Sequence, residues 1–159
     1  MKKQWISHLL KVFIILFILL SIFFIIDVIP LSAQQYAWAS PELVHLQIPM
    51  LVITESLMVL FVIGLLVILY LLRLYDGDLH FSLKFLKGLR LLIGLCVIAL
   101  AAIFVTGLII LFNNIAGPGE AIIIIFSFLL VGTVTSVIAL IETIVAKTIE
   151  YKNEMDMVI

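Results

Sequence analysis

The chain has 159 residues, of which 65% are hydrophobic and only 12% are charged, with a net charge of −1. This composition lies far outside the range of soluble domains and predicts an integral membrane protein. The near-neutral charge gives no basis for direct nucleic-acid binding, and a single cysteine, Cys96, excludes an internal disulfide and paired-thiol redox chemistry.

Four apolar stretches are each long enough to form a spanning helix, which needs about 20 apolar residues. They cover residues 9–31, 49–72, 91–112 and 121–141, and a tail over 142–159 follows. We therefore predict an all-α fold, in which residues 1–159 form one domain, an integral membrane four-helix bundle.

All nine lysine and arginine residues lie in segments that share one side of this predicted bundle. They open the first stretch, connect the second to the third, and follow the fourth, whereas residues 32–48 and 113–120 contain none. Positively charged segments are retained in the cytoplasm during insertion. We therefore expect a protein of the cytoplasmic membrane with both termini in the cytoplasm.

The outer connections are predicted to differ in length. Residues 32–48 form the longer one, in which Ser40 and Pro41 are typical of a capped helix start. Pro49 follows closely and predicts a kink. Residues 113–120 are rich in Asn, Gly and Pro and predict a tight turn.

Glu55 lies inside the second apolar stretch, and counting 20 residues back from Arg73 places it near the outer interface. An ionisable side chain there is a candidate ligand or proton site, and a structural hydrogen bond to Thr54 or to a neighbouring helix is the alternative. Glu42 and His45 share a helix face, but this spacing is common by chance and we predict no metal site. No catalytic triad, phosphate-binding loop or dinucleotide motif is evident, so we predict no enzyme and no cofactor.

The segment before the third stretch is predicted to be an amphipathic helix at the cytoplasmic membrane surface. Ser82 is positioned to cap it, and the helix would run directly into the third stretch. Its cations recur every three residues and form one broad face suited to anionic lipid, with an aromatic and aliphatic face beside it. The cationic face consists of Lys84, Lys87 and Arg90, and the other face consists of Phe81, Phe85 and Leu89.

The tail is predicted to continue the fourth helix. Apolar residues from Ile141 to Ile149 keep helical spacing and could dock on the preceding cytoplasmic segment, after which the tail becomes acidic. Stripes of small residues on the third and fourth stretches permit close helix packing, which we expect within the chain, with a homodimer face as the alternative. The stripe on the third stretch consists of Ala99, Ala102 and Thr106, and the stripe on the fourth consists of Gly132, Ser136 and Ala139.

Two motifs resemble a known family. Residues 76–82 read Asp-Gly-Asp-Leu-His-Phe-Ser and are followed by Lys-Gly-Leu-Arg at 87–90, and residues 152–159 form a Lys-Asn-Glu-Met-Asp-Met-Val-Ile ending. Both resemble the small bacterial four-span proteins of domain-of-unknown-function family 2975. Glu154 and Asp156 match the family ending, whereas Met155 and Val158 replace the Asn and Thr expected there.

What the resemblance implies about activity is limited, because no activity is assigned to the family. Its members are often encoded beside small helix-turn-helix regulators, which implies a membrane protein that holds a DNA-binding regulator inactive. The residues we expect to contact such a partner are Phe81, Lys84, Lys87, Arg90, Lys152, Glu154 and Asp156.

Two other functions stay open. One is an immunity or peptide-resistance protein, or an accessory subunit of a transporter, in which the outer residues Tyr36, Trp38 and Glu42 act. The other is a small transporter that uses Glu55.

Overall fold

The computed structural model describes residues 2–115 and 117–158, without the side chains of Lys2 and Lys3. The described residues are almost entirely helical and include no strand. The α-helices are α1 (Lys2–Phe23), α2 (Ile29–Ala39), α3 (Val44–Asp76), α4 (Leu83–Phe112) and α5 (Pro118–Val158), with a π-helical segment at Phe24–Val28 and a 3-10 turn at Pro41–Leu43.

Four of the resulting helical segments are long and apolar enough to cross a membrane. This confirms the predicted all-α class and the number of spanning helices. Each segment extends beyond the apolar stretch that predicted it, because the polar flanks continue the same helix. The four segments are Gln4–Ala39, Pro41–Asp76, Leu83–Phe112 and Pro118–Val158.

The first spanning segment contains a widened turn, Phe24–Val28, where α1 passes into α2. There the N–H of Ile29 donates to the carbonyl oxygen of Phe24, five residues back. Pro30 follows directly, lacks an N–H and crowds the carbonyl four residues before it, so a local departure from the α-helix is expected at this point. Asp27 lies in the widened turn and is exposed.

The segment predicted as the longer outer connection is mostly helical. A helix start at Ser40 was predicted, whereas the helical conformation of residues 32–39 was not. Helix α2 runs to Ala39, and only Ser40 separates it from the 3-10 turn Pro41–Leu43 that precedes α3. Ser40 occupies the cap position, with Pro41 after it, but its side chain makes no capping hydrogen bond. Pro49 lies within α3, and the helix continues through it.

The predicted start of α4 is confirmed. Ser82 has an extended backbone, and its hydroxyl oxygen accepts a hydrogen bond from the backbone N–H of Phe85 at 3.3 Å. This bond satisfies one of the amide groups that a helix start leaves unpaired. Helix α4 then runs without interruption through the third apolar stretch to Phe112.

The best-packed part of the protein lies where the ends of α3, α4 and α5 meet. Here the side chains of Val145 and Ile149 on α5 are buried together with Leu86 and Leu89 on α4. The predicted docking of the tail on the segment before the third stretch is therefore confirmed. The buried cluster consists of Leu71, Leu86, Leu89, Leu92, Val145 and Ile149.

Two glycines permit close approach between neighbouring helices. A Cβ atom on Gly88 of α4 would lie 2.6 Å from Cδ2 of Leu71 on α3, and one on Gly107 would lie 3.3 Å from Cγ2 of Ile124 on α5. Helix α4 thus packs between α3 and α5, while α1 and α2 pack on α3. Most large apolar side chains elsewhere face outward, as expected where lipid is the solvent.

Candidate functional site

The two ends of the bundle differ in charge and packing. One end, here called the basic end, carries residues 2–11, 73–90 and 142–158 and holds all nine lysines and arginines. The opposite end, here called the acidic end, carries residues 32–48 and 113–120 and has no lysine or arginine. Since the buried cluster also lies at the basic end, the polar chemistry and the tightest packing coincide there.

A polar cluster at the basic end joins α1 to α3. The ammonium group of Lys11 pairs with the carboxylate of Asp76, the last residue of α3. The hydroxyl group of Ser7 donates to Oδ2 of the same carboxylate at 2.9 Å. Lys11 therefore has a partner on another helix at the edge of its apolar stretch. No local pattern marks this partner, which is 65 positions away.

A second ion pair joins α4 to α5. Nε of Arg90 lies 2.8 Å from Oε1 of Glu142, and the glutamate side chain is the less exposed of the two. Arg90 was predicted to contact an external partner, but the structure gives it this partner within the chain. Glu142 was missed because it was treated only as the start of the tail. Its position, just after the fourth apolar stretch, is the one signal that could have identified it.

The three cations of the α4 start therefore divide between two sides of the helix. Arg90 faces α5, whereas Lys84 and Lys87 line a groove of about 440 Å³ between α3 and α4. Both lysines are exposed, and neither forms an ion pair with any residue that the structure describes. The groove walls are otherwise mainly apolar and include Ile63, Leu66, Val67 and Leu91.

An aromatic group lies in the turn between α3 and α4. The ring of His80 packs between those of Phe81 and Tyr75, with centroid separations of 4.4 and 5.4 Å. His80 is half-buried, and its Nδ1 atom is buried without a hydrogen-bond partner among the described residues. Phe81, a predicted partner contact, is exposed beside it.

The tail extends from the basic end as an exposed helix. Ile149 is its last buried residue, and residues 150–158 are all exposed, although α5 continues to Val158. At 1.5 Å per residue, this exposed part extends about 13 Å beyond Ile149. The predicted contact residues Lys152, Glu154 and Asp156 lie on it and form no ion pair within the described part of the chain.

Glu55 lies on α3, toward the acidic end, and is half-buried. No described residue forms a hydrogen bond with its carboxylate. The predicted bond to Thr54 is absent from the described contacts, because the Thr54 hydroxyl donates instead to the carbonyl oxygen of Met50, 2.8 Å away. A threonine in a helix commonly satisfies its hydroxyl on the preceding turn in this way.

A cavity of about 470 Å³ opens at the acidic end between α2, α3 and the ends of α4 and α5. Its wall is mostly apolar, and its polar side chains include Gln47, Tyr36 and Glu120. Glu120, in the first turn of α5, was not singled out from the sequence. Glu55 is not among the residues that line this cavity, so Glu55 and the cavity are separate features.

The other acidic-end residues show no shared site. Nδ1 of His45 lies 3.1 Å from the backbone carbonyl oxygen of Glu42, so the contact does not involve the Glu42 carboxylate. Within the described residues, no group of three or more His, Cys, Asp or Glu side chains is placed to hold a metal ion.

The two small-residue stripes have different surroundings. Ala99, Ala102 and Thr106 on α4 are half-buried. On α5, by contrast, a Cβ atom on Gly132 would meet nothing within 4 Å, and Ser136 is exposed. The expected packing of the α5 stripe within the chain was therefore wrong at these two positions. A homodimer through this face stays a prediction.

The fold and these contacts define a small all-helical, multi-pass membrane protein whose packing and polar contacts are concentrated at one end. The chain belongs to the family described as "Protein of unknown function (DUF2975)", whose profile matches residues 31–159. This confirms the family resemblance of the two motifs. No curated protein and no solved structure matches the chain.

Proposed function

We propose that this chain is a non-enzymatic regulatory protein of the bacterial cytoplasmic membrane, which binds and restrains a cytoplasmic transcription regulator. The observation that carries the proposal is an apolar stripe on the projecting end of α5. Tyr151, Met155 and Val158 are 65%, 70% and 87% exposed on a helix that has already passed the last buried residue.

The proposed orientation rests on charge. All nine lysine and arginine residues belong to the basic end, and cytoplasmic segments of membrane proteins retain such residues. With this end inside, both termini and the turn between α3 and α4 face the cytoplasm. The projecting end of α5 would then be accessible to cytoplasmic proteins.

The spacing of the stripe suits recognition by a groove. Residues at i, i+4 and i+7 lie on one side of a helix, so Tyr151, Met155 and Val158 share a face. Amphipathic helices present such anchors to apolar grooves on their partners. Large apolar side chains exposed outside the apolar stretches are unfavourable in water, which supports a covered state for this face.

The charges beside the stripe favour a basic partner. Residues 150–158 contain Glu150, Glu154 and Asp156 against the single cation Lys152, a net charge of −2. A DNA-binding protein carries the opposite charge on its functional surface, so attraction to an acidic helix could compete with DNA. The resemblance to proteins encoded beside helix-turn-helix regulators supports the same choice.

The packing just before the exposed end of α5 supports the idea that the membrane domain controls the position of the tail. Val145 and Ile149 fix α5 against Leu86 and Leu89, and Arg90 pairs with Glu142. A rearrangement of the bundle would therefore move the tail as a unit. Phe81 stays part of the predicted contact surface at this end.

The experiment compares two methionines on opposite sides of the same helix. Met155 lies in the stripe, whereas Met157, which is also highly exposed, lies on the other side. We expect Met155→Glu to abolish recovery of a DNA-binding regulator with the tagged protein in mild detergent, and Met157→Glu to leave it unchanged. Equal recovery with both variants, each inserted at the normal level, would contradict the proposal.

The cavity at the acidic end favours a second function, an immunity or peptide-resistance protein or an accessory subunit of a transporter. In that case the apolar wall of the cavity and its lining residues Tyr36 and Glu120 would carry the function, and the tail would be dispensable. Deleting residues 151–159 would then leave protection intact, whereas Tyr36→Ala would remove it. Of the outer residues predicted for this function, Trp38 and Glu42 do not line the cavity.

A further inference from the structure

We propose that the groove between α3 and α4 at the basic end is a binding site for one anionic glycerophospholipid. Lys84 and Lys87 would hold the lipid phosphate, and an acyl chain would lie along Ile63, Leu66 and Val67. The proposal concerns the membrane domain alone and does not depend on which protein, if any, contacts the tail.

The depth of the lysines fits a headgroup. Helix α4 enters its apolar stretch at Leu91, and the 22 residues 91–112 match the thickness of the hydrocarbon layer. Lys87 and Lys84 precede Leu91 by one and two helical turns, which places them about 6 and 10 Å from the edge of that layer. Headgroup phosphates lie in this zone, and long lysine side chains reach them readily.

The two lysines also have no ion-pair partner among the described residues. Lys11 and Arg90, which lie at the same edge of the apolar stretches, are each matched by a carboxylate on a neighbouring helix. For Lys84 and Lys87 the described residues supply no such carboxylate. Two uncompensated positive charges three residues apart on one helix favour a phosphate, which accepts hydrogen bonds from both.

The groove continues from these charges into the membrane. Its floor is set by the close approach of α4 to Leu71 at Gly88, and its walls below the lysines are aliphatic side chains of α3 together with Leu91. Tyr70 lines the same groove at the polar end, as tyrosines commonly do at the membrane surface. A groove with two lysines at its polar end and apolar walls below them fits an anionic lipid better than a soluble anion, which would leave the apolar part of the groove unfilled.

The test uses purified full-length protein and two lipids with identical acyl chains, phosphatidylglycerol and phosphatidylcholine. Native mass spectrometry measures how many lipid molecules stay bound as collision energy rises. We expect the wild type to retain one phosphatidylglycerol selectively. The double variant Lys84→Gln/Lys87→Gln should bind it about 30-fold more weakly, since each lysine near an anionic headgroup contributes roughly fivefold.

Two further variants keep the result interpretable. Lys147→Gln/Lys152→Gln removes the same charge from exposed positions of α5, outside the groove, and should retain phosphatidylglycerol like the wild type. Lys84→Arg/Lys87→Arg should also retain it, which shows that a weakened groove variant is not simply misfolded. Equal loss in the two glutamine pairs, or equal retention of both lipids by the wild type, would overturn the proposal.

Discussion

Replacing Leu89 by alanine should loosen the attachment of α5 to the rest of the bundle. Leu89 is 4% exposed and belongs to the cluster that joins α3, α4 and α5. Truncating a buried leucine to alanine removes its packing contacts and leaves a cavity, at a cost of about 2–5 kcal/mol. We expect the midpoint of thermal denaturation to fall by on the order of 10 °C.

The matched control is Leu140→Ala, which makes the same change on a side chain that is 62% exposed. This side chain faces lipid or detergent, so its loss should leave the midpoint nearly unchanged. The assay follows the monodisperse fraction of each variant by size-exclusion chromatography after heating in mild detergent. If Leu140→Ala lowers the midpoint as much as Leu89→Ala does, the assignment of the core to the basic end is incorrect.

Three further experiments test the polar residues. A double-mutant cycle with Arg90→Gln and Glu142→Gln should give a coupling free energy of about 0.5 kcal/mol for unfolding, because the arginine is largely exposed and such pairs contribute little. A coupling free energy of zero at low salt would argue against the pair. Asp76→Asn weakens the attachment of α1 through Lys11, so its denaturation midpoint should be lower than that of the wild type and insensitive to added salt. Glu55→Gln should leave recovery of the regulator unchanged, because Glu55 lies far from the basic end; abolished proton-coupled flux in liposomes would instead favour the transporter hypothesis.

Signals that depend on neighbouring residues alone were readable from the sequence. The Ser82 cap requires only a hydroxyl three residues before Phe85, and that bond is present. Helical spacing placed Val145 and Ile149 on one face of the tail, and both are buried. The four spanning segments follow from length and hydropathy, which the membrane requires of any helix that crosses it.

The docking of the tail was predicted, but the polar side chains that pair between helices were not, because such pairs depend on how far one helix slides along another. Glu142 meets Arg90 across a separation of 52 positions, and no local pattern marks the pair. Helical spacing alone placed Lys84, Lys87 and Arg90 on one face. It did not predict that the two lysines line a groove beside α3 while Arg90 faces α5. The helical continuation of α2 to Ala39 was not predicted, because polar residues follow Leu31 and end the apolar pattern there.

The most direct measurement is site-specific photocrosslinking in living cells of the native host, with the photoreactive residue placed at Met155 or at Met157. If the α5 stripe holds a cytoplasmic regulator, Met155 will crosslink to a small DNA-binding protein and Met157 will not. Crosslinks to the same protein from both positions, or to lipid alone from Met155, would contradict the proposed function.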